Sequence, residues 1–342
     1  MRFIDFFAGV GGFRSGLELA GHKCVGFCEW DKYATASYTS MHLITESQRE
    51  YLSTLTLKKR QKEILKNEYR NGEWYSNDIR NVDAGSLPAA DCWCFGAPCQ
   101  DFSIAGKRAG LDGDRSSLIR EIFRLLEEQE EQDRPEWLIY ENVKGMLSSN
   151  KGLDYLSILS EMDRLGYDIE WQNINSKWFV PQNRERIYTI GHLRRFGRRN
   201  VLPVTGTDGK NCIQQIGMKK SKRYNPNTYR VYAISGISPT IGTTQGGLRM
   251  PLWKTEKGVR KATPKEYFRL QGWTDDYFEK AAFVNSDSQL YKQAGNGVTV
   301  DVAEAIGDKI NEYKKQRIPH HARHDTTEQA GHRHKEQTRF GI

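Results

Sequence analysis

Cys99 stands just past a short apolar run, Asp91-Cys92-Trp93-Cys94-Phe95, inside the stretch Gly96-Ala97-Pro98-Cys99-Gln100-Asp101-Phe102-Ser103. A run of that kind reads as a buried strand, and a thiol where a strand gives way to a loop sits at the sheet edge where α/β proteins build their sites. Pro98 fixes its own φ and pushes Ala97 towards an extended backbone, so the thiol is presented from a rigid turn. Its thiolate would be a nucleophile; taken alone, it reads more readily as a buried structural cysteine. A carboxylate, Glu141, follows a second buried run, Trp137-Leu138-Ile139-Tyr140, and so occupies the same edge of the sheet. Arg184 and Arg186, in Gln182-Asn183-Arg184-Glu185-Arg186, are two residues apart and point the same way on an extended segment.

The N-terminal elements supply a second kind of chemistry. Residues 2–8 read as a strand, and Gly9-Val10-Gly11-Gly12 then opens a helix with Phe13, Leu17 and Leu19 among its apolar positions. Glycines at such a turn let a ligand approach the backbone at a helix N-terminus. Arg14 occupies the place where a dinucleotide fingerprint needs its third glycine, so a nucleoside-type ligand is favoured over a dinucleotide. The next strand, Lys23–Cys28, ends at Glu29-Trp30, placing an acid to hold a ribose diol and an indole to stack on a purine. A surface carboxylate and a core indole are the bland alternatives.

The remaining chain frames these groups. Residues 41–75 are polar and read as one or two surface helices, and residues 76–79 end a third strand or loop near the same edge. Helices are expected over 117–126, 153–165, 264–271 and 298–313, the last two flanking Gly295-Asn296-Gly297, with strands near 168–175 and over 187–190. The five histidines 320, 321, 324, 332 and 334 lie in a polar tail from residue 314 that reads as disordered.

Length, charge and cysteines narrow the class. A chain of 342 residues can bury a full core and a smaller second unit. No run of about 18 apolar residues is present, so no membrane span is expected, and the N-terminus lacks a signal-peptide pattern. Six cysteines without disulfide density, and without a second pair or nearby histidine for zinc, suggest a reduced cytosolic protein with no structural metal. The net charge is +8, yet residues 190–260 alone carry fourteen Lys or Arg against Asp208 and Glu256, leaving the rest of the chain at −4. Such asymmetry is the footprint of contact with a phosphate backbone.

In this order, the blocks resemble the cytosine-5 DNA methyltransferase family, of the bacterial restriction-modification or phage type. They are Asp5-Phe6-Phe7-Ala8-Gly9-Val10-Gly11-Gly12, Glu29-Trp30-Asp31, the Cys99 stretch, Glu141-Asn142-Val143, the Arg184–Arg186 segment and Gln293-Ala294-Gly295-Asn296-Gly297-Val298. The resemblance spans residues 2 to 310. It implies an α/β fold: a Rossmann-like, S-adenosylmethionine-dependent methyltransferase sheet with helices on both faces, plus a smaller, irregular, mostly β target-recognition domain. The corresponding expectation is a catalytic and cofactor-binding domain over 1–189 and 261–313, a basic recognition domain over 190–260 and a tail over 314–342.

The resemblance also implies roles. Cys99 would add to cytosine C6, Glu141 would hydrogen-bond N3 and the amino group, and Arg186, with Arg184 beside it, would hold O2. The cofactor would be S-adenosyl-L-methionine. Phe7, Gly9 and Gly11 would surround its methionine part, Glu29 its ribose, Trp30 its adenine face, and Asp78 and Ile79 its adenine edge. Pro98, Leu118, Asn296 and Val298 would close the pocket. Two departures are Asn77, where the family usually has glycine, and the long 41–75 stretch.

The partner implied is double-stranded DNA, with a cognate restriction endonuclease in the same system and no membrane. The target base must be flipped out of the duplex at a cost of about a few kcal/mol. The loop from Gln100 to Arg115 would close over it, bringing Ser103, Lys107 and Arg115 to the DNA. Within the basic segment, Asn227, Arg230 and Thr244 align with base-reading loops and Thr240 with a backbone contact. Arg230 is the first choice for base readout, since arginine on guanine is the commonest specific contact. The setting expected is a monomer in the cytoplasm of a bacterial or phage-infected cell. An RNA cytosine-5 methyltransferase and a catalytically inactive DNA-binding accessory subunit are the alternatives.

Overall fold

A computed structural model describes residues 1–97, 118–197, 200–207, 212–218, 230–243 and 250–317. Cys99 and Pro98, with Ser103, Lys107, Arg115, Asn227 and Thr244, lie outside the described residues, as does the histidine-rich tail from residue 318.

The main sheet has seven strands: β1 (Arg2–Phe6), β2 (Lys23–Cys28), β3 (Trp74–Ser76), β4 (Cys92–Phe95), β5 (Trp137–Val143), β6 (Tyr167–Asn175) and β7 (Glu185–Leu193). Their spatial order is β3-β2-β1-β4-β5-β7-β6. The first five run parallel, and β7 lies antiparallel to both neighbours. Strands covered on both faces read as unbroken apolar runs rather than alternations, and β4 is buried at all four positions. Alternate side chains then feed two cores. Ile4, Phe6, Trp93, Phe95, Leu138 and Tyr140 face one side, with helices α5 (Leu118–Glu128) and α6 (Leu153–Arg164). Phe3, Cys92, Cys94, Trp137 and Ile139 face the other, with α1 (Gly12–Leu19) and α10 (Val300–Arg317).

Glycine sets how closely α1 and α10 approach. A Cβ added at Gly16 would lie 2.4 Å from the Val300 carbonyl oxygen and 2.6 Å from Ala303 Cβ. Gly12 likewise abuts the carbonyl of Val298, at 2.5 Å. The expected apolar position Leu19 is 65% exposed, because it closes α1 on the face turned away from the sheet.

Helices α2 (Lys32–His42), α3 (Glu46–Ser53) and α4 (Leu57–Glu63) follow β2, and α3 and α4 lie within the long polar stretch. Leu52, Ile64 and Tyr69 form a small satellite core with Ala36 and Val284, so this stretch is tied to the body. The C-terminal part holds α7 (Pro264–Arg269), α8 (Asp275–Ala282) and α9 (Asp287–Asn296) ahead of α10. Only α7 and α10 were foreseen from the pattern. The other two bury few residues, Ala281 in α8 and Leu290, Gln293, Ala294 and Gly295 in α9, too few to print a periodicity.

A second, four-stranded sheet is built from β8 (Gln215–Met218), β9 (Arg230–Ala233), β10 (Leu252–Thr255) and β11 (Gly258–Lys261), in the order β11-β10-β9-β8. It supplies the smaller β unit. Residues 190–193 finish β7 in the main sheet, so the basic segment and the second sheet do not share their first residues. Two of the segment's arginines pair with acids outside it: Arg194 with Asp163 and Asp168, and Arg260 with Glu266. The excess of fourteen Lys or Arg over two acids therefore overstates the segment's free positive charge.

Gly16→Ala should force a methyl group against a backbone carbonyl that can retreat only by moving α10. Overpacking of this kind costs about 1–3 kcal/mol, to be read as a lower urea midpoint by circular dichroism.

Candidate active site

The register of the sheet brings the sites together. Ser76 pairs with Cys28, Cys28 with Phe6, Phe6 with Phe95, and Phe95 with Tyr140. Five strands thus reach one level side by side. The residues next in sequence on four of them, Asn77, Glu29, Phe7 and Gly96, leave the sheet along a single edge, while β5 continues through Glu141, paired with Tyr188 of β7.

At the β1 end the chain turns sharply. Phe7 has φ 56, Gly9 φ 56 and Gly11 φ 86, and Gly11 N–H donates to the Ala8 carbonyl (2.8 Å). A side chain as bulky as Phe7 seldom adopts positive φ, so its presence marks a turn held by its surroundings. A Cβ added at Gly9 would meet nothing within 4 Å, so that part of the turn faces open space. Gly11 differs: a Cβ there would meet His42 at 2.6 Å, so its bare backbone serves packing against α2. Glu29 is half-buried beside the turn, with Oε2 accepting from Gly9 N–H and Oε1 from Asp31 N–H, both 2.7 Å. Burial raises its pKa, while those two donors pull it back. Lys292 of α9 donates to Asp31 Oδ2 (2.5 Å), tying the residues before Asn296 to the Glu29 turn. Asn296 is exposed at the end of α9, Val298 and Leu118 are half-buried, and Val298 rests on Gly12.

Trp30 is 63% exposed and carries the Arg80 guanidinium over its ring, 4.5 Å from the centroid. The same guanidinium forks onto Asp78, with Nε to Oδ1 at 3.0 Å and Nη2 to Oδ2 at 2.7 Å. This bond holds the Asp78 carboxyl below its ordinary range. The Ile79 side chain is buried in the core beside α5, so only its backbone faces the edge. Arg80 was not singled out from the sequence. A residue reaching back over one short 3-10 turn leaves no periodic trace, although an arginine two places after an aspartate is a cue.

Glu141 and Arg186 form an ion pair, Arg186 Nε to Glu141 Oε1 at 3.0 Å, with side chains only 12% and 15% exposed. Burial raises the Glu141 pKa, and Arg186 and then Arg184 oppose it. A carboxyl group so placed keeps its proton to higher pH than an exposed glutamate and can donate it. A Cβ on Gly96 would lie 3.3 Å from Glu141 Oε2, so the backbone at Gly96 lies against the Glu141 carboxyl. Neighbouring Asn142 is buried, donating to Tyr140 Oη (2.7 Å) and accepting from Val143 N–H (2.7 Å), which stiffens the strand that carries Glu141. Arg184 departs from the expectation of a twin beside Arg186. It lies ahead of β7, and its guanidinium donates to the carbonyls of Gly295 (3.2 Å) and Gly297 (2.9 Å), because that loop packs over it.

Of the expected DNA contacts, two are described. Arg230 starts β9 and is half-buried, and Thr240 is exposed with its hydroxyl donating to the Asn183 carbonyl (2.6 Å). No helix among the described residues is long and apolar enough to cross a membrane.

Comparison with known proteins agrees with this geometry. The family model described as C-5 cytosine-specific DNA methylase matches residues 1–65, 50–211 and 200–312. The Type II methyltransferase M.Bsp6I of Bacillus sp. (strain RFL6) is 30% identical, over 91% of this chain and 98% of its own length. The Type II methyltransferase M.HhaI of Haemophilus parahaemolyticus is 29% identical, over 91% and 94%. Among solved structures, the S. pombe Dnmt2 methyltransferase superposes with a TM-score of 0.66 at 17% identity, over 92% of this chain and 99% of that one, a likeness of fold. The chain belongs to the C-5 cytosine-specific DNA methylase family.

Proposed function

We propose that site-specific methyl transfer to cytosine C5 in duplex DNA runs in this chain through Cys99, Glu141 and Arg186, with S-adenosyl-L-methionine as the methyl donor. The observation that carries the reading is the Glu141–Arg186 pair, with Gly96, three residues before Cys99, against the Glu141 carboxyl. Cytosine C5 is a weak nucleophile, so electrons must first be pushed into the ring. The Cys99 thiolate adds to C6 of the flipped base while the Glu141 carboxyl donates its proton towards N3, which absorbs the charge that would otherwise build up there. Arg186, braced by Glu141, holds O2 and keeps the ring in register. C5 then takes the methyl group with S-adenosylhomocysteine as the leaving group, and N3 returns its proton to the Glu141 carboxylate. The C5 proton leaves to a base, and the bond from C6 to Cys99 breaks to restore the thiolate.

The open turn at Gly9, the Glu29 carboxylate and the exposed face of Trp30 suit a nucleoside joined to an amino acid, which fits S-adenosyl-L-methionine. When bound, that cofactor supplies an electrophilic methyl group. In this reading Phe7, Gly9 and Gly11 line its amino-acid end, and Asp78 and the Ile79 backbone meet its adenine edge. Pro98, Leu118, Asn296 and Val298 close the pocket. Arg184 is then a positioning residue. Arg230 and the second sheet read the target sequence, Asn227 and Thr244 contribute beside them, and Thr240, Ser103, Lys107 and Arg115 steady the duplex. We place the enzyme in the cytoplasm as a monomer, paired with a restriction endonuclease.

Cys99→Ser should cut transfer by at least about a thousandfold while S-adenosylhomocysteine still binds; substantial residual turnover would remove Cys99 from the nucleophile's place. Duplex DNA carrying 5-fluorocytosine at the target should trap the wild-type enzyme covalently, since fluorine cannot leave as the proton does. For Glu141→Gln, a loss in kcat of about 10²–10⁴ is expected, the usual worth of a positioned acid. Arg80→Ala uncovers Trp30 and frees Asp78. It should lower KM for S-adenosylmethionine roughly three- to fivefold, in keeping with the small worth of exposed ion pairs and cation–π contacts. A raised KM would show that Arg80 holds the cofactor instead.

A further inference from the structure

Two glutamine side chains, Gln182 and Gln271, are fully buried and meet each other: Gln182 Nε2 donates to Gln271 Oε1 (3.2 Å). Each amide spends both of its N–H groups. Gln182 donates also to the Leu270 carbonyl (2.7 Å), and Gln271 donates to the carbonyls of Ala294 (2.7 Å) and Gly297 (3.1 Å). On the acceptor side, Gln182 Oε1 takes the N–H of Ile241 (3.1 Å), and Gln271 Oε1 takes the hydroxyl of Thr299 (3.0 Å), itself bonded to Ser176 (2.8 Å). With every donor used, neither amide can rotate without stranding a buried polar group, which costs more than the bond itself contributes.

The partners belong to three different parts of the molecule. Ile241 lies in the connection between β9 and β10 of the second sheet, and nearby Ser238 bridges to Gln182 through the backbone. Ala294 and Gly297 frame the loop that carries Asn296 and Val298. Gln182 itself sits two residues before Arg184, whose guanidinium grips the same Gly297 carbonyl. Direct packing reinforces the link. A Cβ on Gly295 would lie 2.6 Å from the Gly242 carbonyl group and 2.7 Å from Thr243 N, so the two loops touch backbone to backbone. Movement of the 238–243 segment therefore cannot leave the 294–298 loop where it was.

Taking the 294–298 loop as a wall of the cofactor pocket, as proposed above, we infer that Gln182 and Gln271 are positioning residues that couple DNA engagement by the second sheet to cofactor binding. A duplex that shifts or stiffens the 238–243 segment acts through Ile241 and Gln182 on Gln271, and through Gln271 on Gly297 and Arg184. The linkage is reciprocal: cofactor binding strengthens DNA binding by the same factor.

The test measures binding of S-adenosylhomocysteine to the full chain, alone and with a duplex carrying the chain's own site, located by bisulfite sequencing of DNA from an expressing strain. The wild type should bind the probe at least about fivefold more tightly with the duplex present. In Gln271→Leu and Gln182→Leu, affinity for the probe alone should stay near the wild-type value while the enhancement disappears, and KM for the cofactor should rise more than kcat falls. Thr299→Ser, which keeps the hydroxyl, should retain the enhancement, and Thr299→Val should diminish it; this milder pair decides the matter if the glutamine variants fold poorly. A wild type that shows no enhancement would overturn the coupling and leave the methyl-transfer reading intact. Variants that lose probe affinity and thermal stability together, with the enhancement preserved, would reduce the pair to a structural role. A wild type that fails to bind the probe at all would strike the cofactor reading, and the coupling with it.

Discussion

Hydrogen bonding between parallel strands allows few choices of register, and here one level of the ladder decides where the chemistry happens. Because Ser76, Cys28, Phe6, Phe95 and Tyr140 lie side by side, a glycine turn, a carboxylate, the approach to a thiol and a second carboxylate emerge next to each other without any loop having to reach. Slipping one strand by one residue would exchange its two faces and send its functional residue into a core. The two cores on either side of the sheet hold that register, since Ile4 and Phe6 cannot trade places with Phe3 while both sets of helices remain packed.

The edge also concentrates charge where burial makes it expensive. Glu29 and Glu141 are both pushed towards the neutral form by burial, but their company differs. Glu29 is clasped by backbone N–H groups that do not move, which suits a group meant to hold a ligand. Glu141 faces guanidinium groups and a strand stiffened by Asn142, which suits a group whose proton is meant to shift while its position does not. Two carboxylates of one sheet thus sit in distinct surroundings.

Much of this was legible in the residues. The apolar runs at β1, β4 and β5 marked buried strands, and their last residues pointed to Glu29, Glu141 and the thiol's turn. What escaped depended on partners distant in sequence or on geometry without a period. A buried glutamine such as Gln271 looks like any surface glutamine until Ala294 and Gly297 are seen to accept from it. Arg184 and Arg186 look like twins, yet one goes to a loop more than a hundred residues onward and the other to a neighbouring strand. The basic segment overstated its charge because a composition window does not see Asp163, Asp168 and Glu266 approaching from outside. Short helices such as α8 bury too little to leave a pattern.

The packing of α1 against α10 bears on how the protein is made. The glycine turn after β1 and the helix lying against Gly16 are separated by most of the described residues. A chain in which α10 has not yet formed therefore has the α1 face bare. Contacts of such long range are slow to form and leave apolar surface exposed meanwhile. The turn after β1 thus has its packing completed only when α10 folds back onto α1.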